Sequence, residues 1–160
     1  MTNVWLPPMN AIDVMTKNVV SVEPETPTRA VAKLLLDKSI SAVPVVDATG
    51  AAIGMVSESD LIGREINRRA SSRVWWLEML AEGENLATEF LEHLRADDRP
   101  VREVMRAPVV SVAEDTPVQA IAEILQEHHI KRVPVLRNGR VVGIVSRADL
   151  VRALAQTRKR

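Results

Sequence analysis

The 160-residue chain has no cysteine and no tyrosine. The first absence excludes disulfides, thiolate nucleophiles and cysteine-based metal sites together. Histidine is scarce as well. His93, His128 and His129 form no helical i, i+4 ligand pair, so no metal site is expected. The six glycines include no phosphate-cradling loop. No Ser–His–acid set has a supporting motif, and the nearest acid pair, Asp97-Asp98, sits beside Pro100 in a loop-like stretch. An enzyme is not expected, nor a catalytic cofactor. Neither sign of charge is in excess, with 21 basic and 21 acidic residues. That balance and an aromatic content of 2% argue against nucleic-acid binding, which needs a basic footprint and rings for base stacking. No apolar run approaches the roughly 20 residues of a membrane helix. Met1 to Asn10 lacks the basic start and apolar core of a signal peptide. The expectation is a soluble, cytoplasmic protein with no membrane partner.

What is present is a repeat. Val14-Met15, Val19-Val20-Ser21-Val22, Thr26-Pro27, Ala30, Ala32, Leu35, Ile40 and Val43-Pro44-Val45 recur 90 positions later, Val14 as Val104 and Val45 as Val135. After one loop residue is lost, the offset is 89: Gly54-Met55-Val56-Ser57-Glu58-Ser59-Asp60-Leu61 returns as Gly143-Ile144-Val145-Ser146-Arg147-Ala148-Asp149-Leu150. Self-similarity of this kind sets the architecture before any local reading. The chain divides into an arm (1–10), repeat one (11–66), a helical insert (67–100), repeat two (101–157) and a basic tail (158–160).

Within each repeat the patterns alternate. Residues 11–17 form a helical turn that delivers Met15, and Val19 to Val22 is a β-branched strand. Thr26 caps a helix with Pro27 at its first position, running to about Lys38. Val43 to Val46 and Ala52 to Val56 pair around Asp47-Ala48-Thr49-Gly50, and a helix runs from Ser57 to about Asn67. In repeat two, Val109 to Val112 is a strand and Thr116-Pro117 opens a helix ending near His128. Arg132 to Leu136 and Arg140 to Val145 form a hairpin around Asn138-Gly139, the strongest short hairpin signal. A last helix spans Arg147 to about Gln156. The fold class is α/β (α+β): two β-α-β-β-α repeats with pseudo-twofold symmetry. The insert opens basic, with Arg64, Arg68, Arg69 and Arg73 around its start, and carries Trp75-Trp76. Leu86, Phe90, Leu91 and Leu94 then form a helical stripe. The tryptophans either pack the insert on its own domain or make a homodimer contact.

The recurring Met15-Thr16-x-x-Val19-Val20, Ile40-x-x-Val43-Pro44-Val45-Val46-Asp47 and Gly54-x-Val56-Ser57-x-x-Asp60 resemble the cystathionine-β-synthase (CBS) domain. The second copy carries Met105-Arg106-x-x-Val109-Val110, Ile130-Lys131-Arg132-Val133-Pro134-Val135 and Gly143-x-Val145-Ser146-x-x-Asp149. The resemblance covers about three quarters of the chain. It implies a Bateman module of the stand-alone bacterial type, binding an adenosine-containing ligand (AMP, ADP, ATP, S-adenosylmethionine, sometimes NAD) in clefts between the repeats. It also implies a homodimer that regulates an unidentified protein. The alternative is a ligand-free scaffold acting through Trp75-Trp76.

The residue types suit such a ligand. A ribose diol wants an acceptor for two hydroxyl protons, and a carboxylate supplies it. Asp60 and Asp149 stand where the family places one. Ser57 and Ser146 can bond ribose or phosphate oxygens beside a helix N-terminus. Val20, Ile40, Val110 and Ile130 can wall the base, in the motifs that also hold Thr16, Pro44 and Pro134. For phosphate, repeat two offers Lys131, Arg132, Arg147 and Arg106. Repeat one has Ser41-Ala42 and Glu58 at corresponding places and only Lys17 nearby, so repeat two is expected to be the phosphate-competent site. Each motif also has a structural reading. Ser-x-x-Asp is a capping box, and Lys131-Arg132 can blunt a strand edge. His128-His129 can complement a helix C-terminus, Met15 and Met105 can plug the core, and the tail can simply be solvated.

Overall fold

The computed structural model describes residues 8–61 and 99–156. The chain comprises two compact units. Unit one holds residues 1–20, 48–52 and 108–160; unit two holds 21–47 and 53–107. The expected features of the arm before residue 8, the insert with Trp75-Trp76 and its leucine stripe, Asp97-Asp98, the helix as far as Asn67 and the basic tail lie outside the described residues.

In unit one, α1 (Ala11–Val14) packs with a three-stranded sheet and two helices. The sheet order is β3 (Val112–Ala113), β4 (Arg132–Arg137) and β5 (Arg140–Ser146), and the helices are α3 (Val118–Glu127) and α4 (Arg147–Gln156). In unit two, α2 (Thr28–Lys38) accompanies a hairpin of β1 (Ala42–Val46) and β2 (Ala52–Ser57), with residues 58–61 helical and a 3-10 turn at Val101–Glu103. Helical spacing places Val118, Ile121 and Leu125 in one core and Val31 and Leu35 in the other. Asn138 and Gly139 adopt φ of 52° and 78°, the two positive values that a two-residue hairpin turn matching strand twist requires.

Two expectations need correction. Thr26 and Thr116 do not cap their helices. Pro27 and Pro117 are the N-cap residues, without a side-chain cap, and each Thr hydroxyl instead accepts from a backbone N–H three residues earlier, Glu23 at 3.1 Å and Ala113 at 3.0 Å. The strands at Val19–Val22 and Val109–Val112 are also shorter than their β-branched sequence predicts. Only Val22 bridges β1, opposite Val45, and β3 starts at Val112, opposite Val135. Proline accounts for this. Extending the parallel register by two residues sets Val20 opposite Val43 and Val110 opposite Val133, where the N–H of residues 44 and 134 would have to donate. Pro44 and Pro134 have none.

The leading segments sit crosswise to the sequence repeats. The segment that opens repeat one completes unit one: Ala11 N–H donates to Thr116 C=O at 2.8 Å, and Thr16 and Ile144 exchange bonds of 2.9 and 3.0 Å. The segment that opens repeat two completes unit two through the corresponding bonds, Val101 to Thr26 at 2.8 Å and a Met55–Arg106 exchange at 3.0 and 2.8 Å. Glycine allows each approach. A Cβ on Gly54 would stand 2.6 Å from Met105 Sδ and 2.9 Å from the Arg106 carbonyl oxygen, and one on Gly143 would collide with Met15. Both methionines therefore serve as core plugs, in line with the structural reading of their positions.

Candidate functional site

The Ser–x–x–Asp motifs lie where a return strand turns into a helix, at the ends of β2 and β5. In unit one, Asp149 Oδ2 accepts from the Ser146 N–H at 2.8 Å and from Ser146 Oγ at 3.0 Å, while the Asp149 N–H donates to Ser146 Oγ at 3.3 Å. Unit two repeats the set, with Ser57 N–H and Oγ each 2.9 Å from Asp60 Oδ2. The capping box is thus realised in both. Each carboxylate keeps a second oxygen pointed elsewhere, and each is little exposed: the side chains are 7% accessible for Asp149 and 11% for Asp60.

The second oxygen is where the units part. Asp149 Oδ1 accepts from Arg152 Nη1 at 3.0 Å, one turn along α4. Asp60 Oδ1 accepts from Arg106 Nε at 3.0 Å, 46 residues away in sequence. Sequence proximity therefore misassigned two cations. Arg106, grouped with repeat two for phosphate, stands beside Asp60 in unit two; Lys17, counted for repeat one, belongs to unit one. The exchange of leading segments is the reason. Arg152 was missed, although its i, i+3 spacing from Asp149 on a predicted helix carried the signal.

Unit one thus brings together Thr16, Lys17, Val20, Val110, Ile130, Lys131, Arg132, Pro134, Ser146, Arg147 and Asp149; unit two holds Ile40, Ser41, Pro44, Ser57, Asp60 and Arg106. Lys17, Lys131 and Arg147 are exposed, Arg132 is half-buried, and both prolines are buried. Backbone links set the register at the strand–helix junctions: Arg147 N–H donates to Lys131 C=O at 3.0 Å, and Glu58 N–H to Ser41 C=O at 2.9 Å. The aligned positions therefore set a Lys–Arg pair in unit one against a Ser–Glu pair in unit two. Glu114, also in unit one, is bound side-on by Arg137, with Nε 2.8 Å from Oε2. That hydrogen bond holds its carboxyl below the ordinary value against the opposing effect of burial, and the charges of Arg137 and Lys17 add to it.

Strand–helix junctions carrying a capped carboxylate, present twice in a tandem α+β repeat, define the class of protein, and the chain belongs to the CBS domain family. The family model for the CBS domain matches residues 11–66 and 101–156. Uncharacterized protein MJ1426 of Methanocaldococcus jannaschii is 31% identical over 150 residues, 89% of each chain. Of two further curated relatives from that organism, the chain spans 32% and 41% of the length. Among solved structures, the CBS domain of a CBS domain containing membrane protein from Sphaerobacter thermophilus is 33% identical. Its TM-score is 0.69, over 92% of this chain and 89% of that one. CBSX2, an Arabidopsis thaliana protein solved in complex with AMP, is 26% identical with TM-score 0.69, over 92% of this chain and 97% of that one. No helix among the described residues is long and apolar enough to cross a membrane.

Proposed function

We propose that the chain is a non-catalytic regulatory module that binds an adenosine-containing ligand and signals occupancy to a partner protein by a change of conformation. The observation that carries this reading is the carboxylate of Asp149. Its capping oxygen is committed to Ser146, while among the described residues its other oxygen is held by one side chain, Arg152, that is 64% exposed. A nearly buried carboxylate with one exchangeable donor suits a ribose diol. The AMP complex of a 26% identical relative supports the same ligand class.

Unit one is the phosphate-competent half. Lys131, Arg132, Arg147 and Lys17 gather there, and unit two offers Glu58 where unit one has Arg147. Val110 and Val20, kept out of the parallel ladders by Pro134 and Pro44, present backbone groups and apolar walls to the base. The preferred ligand is drawn from AMP, ADP, ATP, NAD and S-adenosylmethionine, and the working form is a cytoplasmic homodimer. Regulation requires the ligand to favour one of two states, because equal affinity shifts nothing.

Isothermal titration with AMP, ATP, NAD and S-adenosylmethionine, with Asp149→Ala as control, tests the reading. Saturable binding lost in the variant is expected. A protein free of co-purified nucleotide that binds none of the four would sink it in favour of the scaffold reading.

A further inference from the structure

We propose that Arg106 is a built-in competitor at unit two, so that Asp60 is offered to a ribose diol only when Arg106 lets go. This deepens the reading of the Ser–x–x–Asp carboxylates as diol acceptors and rests on it. A carboxylate offers about four lone-pair directions. From the described residues Asp60 already accepts three hydrogen bonds: two at Oδ2 from Ser57 and one at Oδ1 from Arg106. A cis-diol brings two donors, so one of the three must leave. The Ser57 donors hold the start of the helix at residues 58–61. Among the described residues the Arg106 side chain, 60% exposed, makes a single contact, through Nε, and it is the member that yields.

The position makes the displacement informative. The residue at the place of Arg106 in unit one is Thr16, and the cation on Asp149 is Arg152 from the same helix. Releasing Arg152 frees a side chain of the element that already carries the site. Releasing Arg106 unhooks Asp60 from a different segment, the one that runs from the Val101–Glu103 turn to the bridge with Met55. Unit two therefore couples occupancy of its carboxylate to the 99–107 segment, and unit one does not. An exposed ion pair stabilises weakly, so the competition shifts affinity by about two- to fivefold and does not block binding.

Adenosine is the probe, because it carries no phosphate for a freed guanidinium to attract. Titration is run on Arg106→Ala and Arg106→Lys in an Asp149→Ala background, where Asp60 is the remaining Ser–x–x–Asp carboxylate. Asp149→Asn, which retains an acceptor for the Ser146 N–H, replaces that background if circular dichroism shows Asp149→Ala unfolded. Arg106→Ala is expected to tighten adenosine binding about two- to fivefold, with Arg106→Lys in between. Unchanged or weaker binding overturns the competitor. So does a silent titration in every Arg106 variant while the protein with Asp149 intact binds, and in that case the adenosine reading survives for unit one alone. If the unaltered protein binds neither adenosine nor AMP, both fall together.

Discussion

Units one and two have nearly the same skeleton and different chemistry at one place. Corresponding hydrogen bonds recur in both, and both seat a methionine on a glycine of the return strand. Yet the capped aspartate of unit one is paired within its own helix and follows a strand–helix junction that carries Lys131 and Arg147. Its counterpart in unit two is paired with an arginine from the segment following the insert. The backbone pattern depends on glycine, proline and apolar positions, which the two copies share. Side chains at the rim are freer to differ, and the units diverge there.

Four experiments sharpen or break this comparison. The largest effect is expected in the cores. Ile121→Ala, at a fully buried position, should cost about 2–5 kcal/mol in urea unfolding. Val31→Ala, its counterpart in unit two, should cost roughly 0.8 kcal/mol less, the worth of one methylene. Equal costs would show that the two cores collapse differently around the lost volume.

Ligand-linked stability comes next. AMP at about a hundred times its dissociation constant should add about 2.7 kcal/mol, a Tm rise of roughly 5–10 °C for a chain of this size. Asp149→Ala should abolish most of that shift and Asp60→Ala little of it, because the strand–helix junction of unit one carries Lys131 and Arg147 where that of unit two carries Ser41 and Glu58. The reverse pattern in a thermal melt would overturn the assignment of the phosphate-competent half.

Glycine substitution distinguishes the plugs. Gly54→Ala and Gly143→Ala should each cost about 1–3 kcal/mol through overpacking. Met15→Ala should relieve Gly143→Ala, where the atoms in the way are all Met15 side-chain atoms. Met105→Ala should relieve Gly54→Ala less, since a Cβ there also meets the Arg106 carbonyl oxygen at 2.9 Å. Double-mutant cycles from denaturation curves measure the difference.

The smallest effect concerns acid. The Glu114 carboxyl is held low in the folded state, chiefly by its hydrogen bond to Arg137. Between the folded and unfolded values the unfolded chain binds more protons, so stability rises with pH there. The contribution is complete above the unfolded carboxylate value and is lost as pH falls through the folded one. Glu114→Gln should flatten that acid limb slightly in melts taken at pH 3 to 6, and an unchanged limb would show the pair to be without weight.

Much of the architecture was legible because it depends on local, periodic signals. Asn138-Gly139 has to be a turn, Val31 and Leu35 have to share a helix face, and Ser–x–x–Asp has to open a helix. Proline carries a signal that the motif pattern hides. Pro44 and Pro134 stand inside the repeated motifs, and their missing N–H also stops the parallel strands at Val22 and Val112. The Arg152–Asp149 pair could have been found from spacing, but no local rule selects it over a solvated arginine.

By itself, then, the sequence determined the repeat, the element types, the glycine and proline constraints and the identity of the capped carboxylates. The repeat is read by comparing positions 89 and 90 apart, and the others follow from residues within one or two turns of each other. Only the tertiary structure decided which leading segment completes which unit, and hence that Arg106 faces Asp60 and that Lys17 lies with repeat two. The near-identity of the copies is the physical reason. Val14-Met15 and Val104-Met105 satisfy the same glycine gap, so sequence proximity has no means of choosing between them, and the path of the folded chain does.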